Sequence, residues 1–331
     1  MSALRSAVVG LKGMGQQHLK ALAENPRADL VAVCDLDRDS AREAAAAYGA
    51  RAHIDYRDLL ASADLDAIVF ATPHHLHAPM ALDALQAGVH TFLEKPIANR
   101  VSDADRMVAL AESKELVLAV GHNYRTFPVN VRLKELLPQL GPIQRVLWQW
   151  LENRPESYYD RDIWRSTWRH AGGGVLINQT GHDLDLMCWL FGPPAEVSAM
   201  ICNRGHQHKV EDTAIACIRF ASGVLANVQL STVTHRFNHR QIAGAKGAIV
   251  VEDTKNANVH VPDTSVSAST TGPSTTSSPT PTPPPVSRNP TGAISTVRTP
   301  SRPVCLTASS PPARTATAPS PTAPAPATPS S

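Results

Sequence analysis

The stretch LRSAVVGLKGMGQQHLKALAEN, residues 4–25, decides the fold of the first part of the chain. A short apolar run leads into a turn rich in glycine, and leucines and alanines at helical spacing follow. A short apolar run before a glycine turn is typical of a strand buried on both faces of a parallel sheet, and the later spacing is typical of an amphipathic helix. The stretch therefore predicts a strand, a tight turn and a helix.

The same alternation continues to about residue 121. Further strands are predicted in DLVAVCD, LDAIVFAT, VHTFLEK and LVLAVGH, and further helices in SAREAAAAYG, HAPMALDALQAG and SDADRMVALAESK. Strands that alternate with helices of this length form a parallel sheet with helices on both faces. We therefore expect an α/β domain over residues 1–121.

The turn GLKGMG resembles the G-x-G-x-x-G fingerprint that holds the pyrophosphate of a dinucleotide between a strand and a helix. Gly10 and Gly15 occupy its first and third places, and Lys12 stands where the second glycine normally lets the backbone approach the pyrophosphate. Lys12 either crowds the cofactor or pairs with a phosphate, and Gly13 restores some freedom to the loop. Asp35, at the end of the second strand, suits ribose hydroxyls and repels a 2′-phosphate, which favours NAD over NADP. The alternative is a glycine turn beside a surface aspartate.

The ends of two later predicted strands also indicate a dinucleotide site. FATPHHLH, residues 70–77, and FLEKP, residues 92–96, lie where open parallel sheets bind their ligands. A lysine and a glutamate facing a nicotinamide are well placed to handle protons, although Lys95 on position alone fits a surface lysine before a proline turn equally well. The predicted cofactor contacts are Gly10, Lys12, Gly13, Met14, Gly15, Asp35, Thr72, Pro73, His77, Glu94 and Lys95.

The second part of the chain, residues 122–262, is predicted to be an α+β domain that binds substrate and supports oligomerisation. Strands are expected in IQRVLWQWLE, AEVSAMICNR, EDTAIACIRFASGVLANVQLSTV and RQIAGAKGAIVVED, and a helix in VRLKELLPQL. RPESYYDRDIWRSTWRH, residues 154–170, lacks a clear period. Its Trp164 and Arg165 suit a hydroxylated ligand, and a packed surface loop is an equally good interpretation.

The stretch GGGVLINQTGHDLD, residues 172–185, carries polar side chains into a predicted helix. Residues 184, 187, 188 and 191 give that helix an apolar face. Asn178 and His182 are four residues apart and would share one helix face, and Asp185 is placed to orient His182.

Together, GLKGMGQQH, ATPHHLH, EKP and GGGVLINQTGHDLD resemble the Gfo/Idh/MocA oxidoreductases from about residue 4 to about residue 252. The resemblance implies an N-terminal Rossmann domain and a second domain with an open, mostly antiparallel sheet. It also implies a homo-oligomer and NAD(P)-linked oxidation or reduction of a sugar, a cyclitol or a related carbinol. In this family the lysine of EKP, here Lys95, lies between nicotinamide and substrate.

The resemblance also places Asn123 and Arg125 near the substrate, beside the aromatic loop. The family run G-G-G-x-L-x-D-x-G-x-H puts Asn178 at the aspartate, Thr180 at the later glycine and His182 at the histidine. We expect His182 to take the hydroxyl proton in oxidation and return it in reduction, and Lys95 to hydrogen-bond the reacting oxygen. Asn178 carries no charge and positions its neighbours. Without the aspartate, a non-catalytic member that binds nucleotide or sugar is the alternative.

Composition and charge narrow the function further. The formal net charge is +2, which argues against a nucleic-acid partner. No apolar run approaches the ~18–20 residues of a membrane span, and MSALRSAVVG does not have the features of a signal peptide. Five scattered cysteines indicate a reducing, cytoplasmic compartment. HHLH and HQH lack carboxylate or cysteine partners at suitable spacing, so no metal is expected.

From residue 263 to residue 331 the composition changes abruptly. Ser, Thr, Pro and Ala make up 54 of the 68 residues from 264 onwards. Such a segment buries too little apolar surface to offset its ordering entropy, which predicts a disordered tail. A second interpretation is a frameshift, because the codons of these four residues all allow C in the second position. The second domain would then be incomplete and the product inactive.

Overall fold

A computed structural model describes residues 3–252, 256–261 and 264–269, which belong to one compact unit. The first part is a six-stranded parallel sheet in the order β3-β2-β1-β4-β5-β6. Its strands are β1 Leu4–Val9, β2 Ala28–Cys34, β3 Arg51–His53, β4 Ala67–Phe70, β5 His90–Leu93 and β6 Leu118–Val120. Its helices are α1 Met14–Ala23, α2 Arg38–Tyr48, α3 Tyr56–Ser62, α4 His74–Gln86 and α5 Val101–Ser113. This arrangement confirms the predicted α/β fold.

Burial on both faces of this sheet explains the continuous apolar runs in the sequence. Val8 and Val33 pack into one apolar cluster, while Val9, Ile68 and Phe70 pack into another. β3 and α3 were not predicted from the sequence. A local signal for α3 exists, since the Asp55 side chain caps the helix by accepting a hydrogen bond from the Arg57 N–H.

The second part is an open eight-stranded sheet in the order β14-β13-β12-β11-β7-β10-β9-β8. Neighbouring strands are antiparallel except for the parallel pair β7 and β10, as expected for a mostly antiparallel sheet. Its strands are β7 Ile143–Asn153, β8 Pro194–Cys202, β9 Thr213–Phe220, β10 Leu225–Ser231, β11 Val233–Gly244, β12 Gly247–Glu252, β13 Asn256–Val261 and β14 Thr264–Ser269. One face packs under helices through a core that includes Trp148 and Leu186.

Short helices surround this covered face. They are α6 Pro128–Leu136, α7 Glu156–Asp160, α8 Trp168–Ala171 and α9 Gly181–Phe191, with 3₁₀ turns at Asn123–Thr126, Leu137–Leu140 and Ile163–Ser166. The aromatic segment 154–170 is therefore mostly helical. Tyr159 in this segment is buried. The Thr167 side chain caps α8 by accepting a hydrogen bond from the His170 N–H. Among the described helices, none has the length and apolar character that crossing a bilayer requires.

The last described strand, β14, lies inside the segment that was predicted to be disordered. It pairs with β13 so that Val266 stands opposite Val259. Backbone pairing of this kind does not depend on large side chains, so a Ser- and Thr-rich strand can join a sheet edge. The rest of the predicted tail, and with it the frameshift interpretation, lies outside the described residues.

Candidate active site

The carboxyl ends of four neighbouring strands bring the predicted residues to one edge of the parallel sheet. In sheet order, Asp35 follows β2, the glycine loop follows β1, Thr72 follows β4, and Glu94 and Lys95 follow β5. The strand order reverses between β1 and β4, because β2 and β3 are added on one side of β1 and β4 to β6 on the other. At such a point these folds open a crevice for a ligand.

The glycine loop forms a cradle that larger residues would fill. Gly10 has φ +85°, and a Cβ there would lie 2.6 Å from the Ala71 carbonyl oxygen. A Cβ on Gly15 would overlap the Gly10 carbonyl oxygen, while the space beside Gly13 is open. Gly13 is the N-cap of α1, and Met14, its first residue, is half-exposed. A helix N-terminus behind a glycine turn fits a pyrophosphate, so the residues present suit a dinucleotide.

Lys12 does not cross this cradle. Its Nζ lies 2.9 Å from a carboxylate oxygen of Asp37, at the start of α2. Asp35 itself accepts hydrogen bonds from the Leu11 and Asp37 N–H groups, each at 2.9 Å. Because a carboxylate offers about four acceptor positions, Asp35 retains capacity for ribose hydroxyls.

The turn after β4 holds Thr72 and Pro73, and Pro73 directly precedes α4. The expected contact of His77 with the cofactor is wrong. Its side chain is 0% exposed, and its two ring nitrogens lie 2.7 Å from the Pro96 carbonyl oxygen and 2.8 Å from that of Thr72. His77 therefore joins the turn after β4 to the turn after β5 from beneath.

His18 of α1 holds Glu94 in place, because its Nε2 lies 2.8 Å from the Glu94 carboxylate. Burial raises the pKa of Glu94, but the His18 hydrogen bond and the nearby charges of His18 and Lys95 outweigh burial and lower it. Glu94 is thus a fixed carboxylate beside Lys95.

Lys95 crosses from the first sheet to the second part of the chain. Its Nζ donates a 2.6 Å hydrogen bond to the backbone carbonyl of Asn178. Burial lowers the pKa of Lys95 to about 8, the charge of Glu94 opposes this shift, and Arg165 adds to it. Lys95 can therefore exchange a proton near neutral pH.

His182 faces this lysine between two aromatic rings. It stacks on Tyr124 at 4.7 Å and meets His122 edge-on at 5.8 Å. Burial, followed by the charges of Lys95 and His122, lowers the pKa of His182 to about 4, so the ring is neutral at pH 7. Its Nδ1 is buried and has no hydrogen-bond partner among the described residues.

Asn178 does not share a helix face with His182. Residues Val175–Gln179 form a π-helical turn, because the Thr180 N–H and hydroxyl both bond to the Val175 carbonyl, and α9 starts only at Gly181. Asn178 is 4% exposed, and its Nδ2 has no hydrogen-bond partner within the described part of the chain.

Asp185 does not hydrogen-bond His182, contrary to expectation. Its carboxylate receives two hydrogen bonds from Arg125, one of them 2.7 Å from Nε, and lies 3.8 Å from His122 Nδ1. Arg125 is therefore engaged by Asp185. Asn123 lies two residues earlier, with an exposed side chain.

The aromatic segment closes one side of the site. Trp164 meets the ring of His74 at 4.7 Å, and the Arg165 guanidinium lies over Trp164 at 4.4 Å. Arg165 also donates to Asp162. Within the ranges that the structure describes, no three His, Cys, Asp or Glu side chains form a metal-binding group.

The glycines before Val175 let the chain pack closely against the segments that contain Asn99 and Glu211. A Cβ on Gly174 would overlap the Glu211 carbonyl oxygen, and the Gly174 N–H donates to the Glu211 carboxylate at 2.8 Å. Gly172 packs against Asn99 in the same close way. These contacts fix the position from which the π turn carries Asn178 to Lys95.

Comparison with known proteins matches both parts of the chain to one family. Residues 4–122 match the oxidoreductase family with the NAD-binding Rossmann fold, and residues 131–250 match the GFO/IDH/MocA C-terminal domain. The chain belongs to the Gfo/Idh/MocA family. Its first part is accordingly an NAD-binding domain, and NAD is its cofactor.

Individual family members share about a third of their residues or fewer with this chain. An uncharacterized oxidoreductase of Synechocystis sp. is 30% identical over 75% of this chain and 71% of its own length. Levoglucosan dehydrogenase of Pseudarthrobacter phenanthrenivorans is 27% identical over 82% and 79%. The solved structure of the WlbA dehydrogenase from Bordetella pertussis, in complex with NADH and UDP-GlcNAcA, superposes with a TM-score of 0.75 at 31% identity, over 78% of this chain and 77% of that one.

Three residues beside the site of this Gfo/Idh/MocA protein were not found from the sequence. His18 holds Glu94, and His122 and Tyr124 flank His182. A signal for His122 was available, because it follows β6 as Lys95 follows β5 and parallel strands end at the same edge of a sheet. His18 and Tyr124 depend on contacts between distant segments and have no such signal.

Proposed function

We propose that this chain transfers a hydride between NAD and a secondary alcohol or carbonyl carbon of a sugar or sugar derivative. The observation that carries the proposal is the surroundings of Lys95. Its ammonium bonds to the Asn178 carbonyl, next to a buried His182 nitrogen and a buried Asn178 amide that lack partners among the described residues. Buried polar atoms are normally paired, so these groups await a polar ligand.

The pKa values favour Lys95, rather than His182, as the group that exchanges the proton. When bound, NAD supplies the nicotinamide carbon that accepts or gives the hydride. A pKa of about 8 leaves Lys95 able to donate or accept near neutral pH, whereas a pKa of about 4 makes His182 a weak base. His182, as a neutral ring, hydrogen-bonds the substrate oxygen beside Lys95. The Asn178 carbonyl holds Lys95 in place, and its side-chain amide hydrogen-bonds a substrate hydroxyl.

The substrate class rests on the relatives and on the side chains at the rim. Levoglucosan dehydrogenase and the UDP-GlcNAcA complex of WlbA concern carbohydrate ligands. The exposed Asn123 and the Trp164–Arg165 pair offer the polar and aromatic surfaces that hydroxylated rings bind. Either direction of the reaction is compatible with this site.

The test is NADH formation with a panel of sugars, polyols and sugar nucleotides. We expect turnover on at least one of them and its loss in Lys95→Met, with Lys114→Met, an exposed lysine at the end of α5, as the matched control. Full turnover in Lys95→Met would refute the assignment. NADH binding without turnover on any substrate would favour the non-catalytic alternative, which the asparagine at position 178 keeps open.

We further propose that the chain forms a homo-oligomer through the open face of its second sheet. Ile215, Leu225 and Phe237 are exposed there, beside a hydrogen bond of 2.7 Å between Gln149 and Gln229. Mixed apolar and amide surfaces of this kind suit a wet interface between identical subunits. Light scattering after size exclusion should show an oligomer that Ile215→Asp dissociates. Val117→Asp, at an exposed position just before β6, is the control and should leave the oligomer intact.

A cytoplasmic location is proposed from the cysteines. All four that the structure describes, Cys34, Cys188, Cys202 and Cys217, are free thiols. Unpaired thiols are usual in a reducing compartment. Fractionation of cells that express the chain tests this, and recovery from an extracellular or periplasmic fraction would contradict it.

A further inference from the structure

Lys12 and Asp37 form an ion pair at the end of the cofactor cradle, and no role assigned above requires it. Their charged atoms are 2.9 Å apart, and both side chains are substantially exposed. Asp37 is held by its own helix, because it is the N-cap of α2 and also accepts from the Asp39 N–H and the Ser40 hydroxyl. Lys12 therefore bends away from the glycine loop to reach a fixed carboxylate.

The pair lies near Asp35, whose charge acts on Lys12 and whose carboxylate accepts from the Asp37 N–H. One oxygen of Asp35 accepts from Leu11 in the glycine loop, and the other accepts from the Asp37 N–H at the start of α2. Two carboxylates and one ammonium are thus gathered at the carboxyl end of β2. In dinucleotide-binding folds this is the place of the adenosine ribose, where an acidic residue reads the 2′-hydroxyl and a nearby cation accepts a 2′-phosphate.

The charge balance of the three groups decides which nucleotide fits. The hydrogen bond and charge of Asp37 raise the pKa of Lys12, and the Lys12 hydrogen bond lowers that of Asp37 to about 2, so both groups stay charged at neutral pH. With the charge of Lys12 balanced by Asp37, the negative charge of Asp35 is not offset by Lys12. Such a site suits a hydroxyl and disfavours a phosphate.

We propose that the Lys12–Asp37 pair determines cofactor specificity, because Asp37 withholds the Lys12 ammonium from a 2′-phosphate. Lys12 is then a latent phosphate ligand, and Asp37 sets the preference for NADH over NADPH. The inference rests on the NAD-binding role of the first sheet and is independent of the catalytic assignments. It also accounts for a lysine at the second glycine place, since that lysine points away from the pyrophosphate.

The test is equilibrium binding of NADH and NADPH, followed by cofactor fluorescence without substrate. Asp37→Asn removes the charge and keeps a side chain that caps helices well, so folding is retained. The variant leaves the Lys12 ammonium without its carboxylate partner, so that Lys12 can reach a 2′-phosphate. Since one hydrogen bond between charged groups is worth about tenfold in affinity, NADPH should bind about tenfold more tightly and NADH within about twofold of wild type.

Two further variants separate the pair from general charge effects. Asp39→Asn removes an equal charge from the first turn of the same helix and should leave NADPH affinity within about twofold. Lys12→Gly combined with Asp37→Asn restores the second glycine and should abolish the gain. The gain should also shrink as salt rises from low to high ionic strength.

Each outcome bears on the proposal. Unchanged NADPH affinity in Asp37→Asn, a gain that persists without Lys12, or an equal gain in Asp39→Asn would overturn it while NADH binding stays normal. Wild-type protein that prefers NADPH would overturn it as well. Protein that binds neither nucleotide would overturn the cofactor assignment and this inference together.

Discussion

Lys95 and His182 illustrate how a buried lysine affects the protonation of a neighbouring histidine. Each is buried, which disfavours its charged form, and the charge of Lys95 further lowers the pKa of His182. Since two neighbouring groups of like charge are not easily protonated together, the single proton stays on Lys95 at neutral pH. Residue chemistry alone, with reference pKa values, would have placed that proton exchange on the histidine.

The first prediction follows from the higher pKa of Lys95 relative to His182. In oxidation kcat/KM should rise with pH through about 8, because Lys95 must be neutral to take a proton, and in reduction it should fall through the same pH. His182→Asn should lower kcat by about 10²-fold or more and leave the midpoint in place. A midpoint below pH 6.5 that disappears in His182→Asn would return the proton to the histidine.

The second prediction concerns His77, which lies beneath the site. Burial lowers the pKa of this ring, opposed by its bonds to the Pro96 and Thr72 carbonyls and by the charge of Glu94. Loss of a buried hydrogen-bonding group costs about 1–3 kcal/mol, so His77→Ala should lower the unfolding free energy by that amount and reduce kcat by misplacing Lys95. Denaturant unfolding measures the first effect. His75→Ala, at a partly exposed neighbouring site, is the control, and an equal loss in both variants would contradict the prediction.

At the scale of elements, the period of apolar residues was enough to predict most strands and the long helices. It was not enough to predict the geometry of the site. Apolar runs predicted β1 and β2, and alternation predicted β7, because burial on a sheet leaves a direct trace in sequence. The π turn leaves no such trace, because it depends on the Thr180 hydroxyl and on Glu211, more than 30 residues away. The ion pair of Asp185 with Arg125 spans 60 residues and displaced the expected pair with His182.

The third prediction tests whether the glycine run is needed for packing. Gly174→Ala places a Cβ on the Glu211 carbonyl oxygen, and overpacking against backbone costs about 1–3 kcal/mol or more. Thermal melting should show a clear loss of stability. Gly181→Ala is the matched control, because its Cβ would meet only Lys95 Cδ at 3.9 Å and alanine favours the helix α9. Equal stability of the two variants would show that the run does not need its glycine at 174.

At the scale of the whole molecule, the site exists only where the two sheets' segments meet. The Lys95 ammonium reaches Asn178, and His74 Nδ1 lies 2.9 Å from the Ala171 carbonyl oxygen. This junction between the two parts of the chain also encloses His74, His122 and His182. Burial is the largest cause of their lowered pKa values, which are about 3 for His74 and about 4 for His182; the pKa of His122 is lowered as well. Protonation of these histidines at low pH therefore disfavours the junction.

The fourth prediction is that stability falls as pH drops below 6.5. The unfolded chain binds protons on these histidines at their ordinary pKa, while the folded chain resists them until about pH 4 for His182 and about pH 3 for His74, so each contributes a loss over that window. The slope is at most about 1.4 kcal/mol per pH unit for each histidine. Urea unfolding between pH 7.5 and 4.5 measures it. His74→Gln should reduce the slope relative to wild type, whereas His235→Gln, at an exposed site, should not. A pH-independent unfolding free energy over this range would contradict the prediction, because it would mean that the folded and unfolded chains bind the same number of protons.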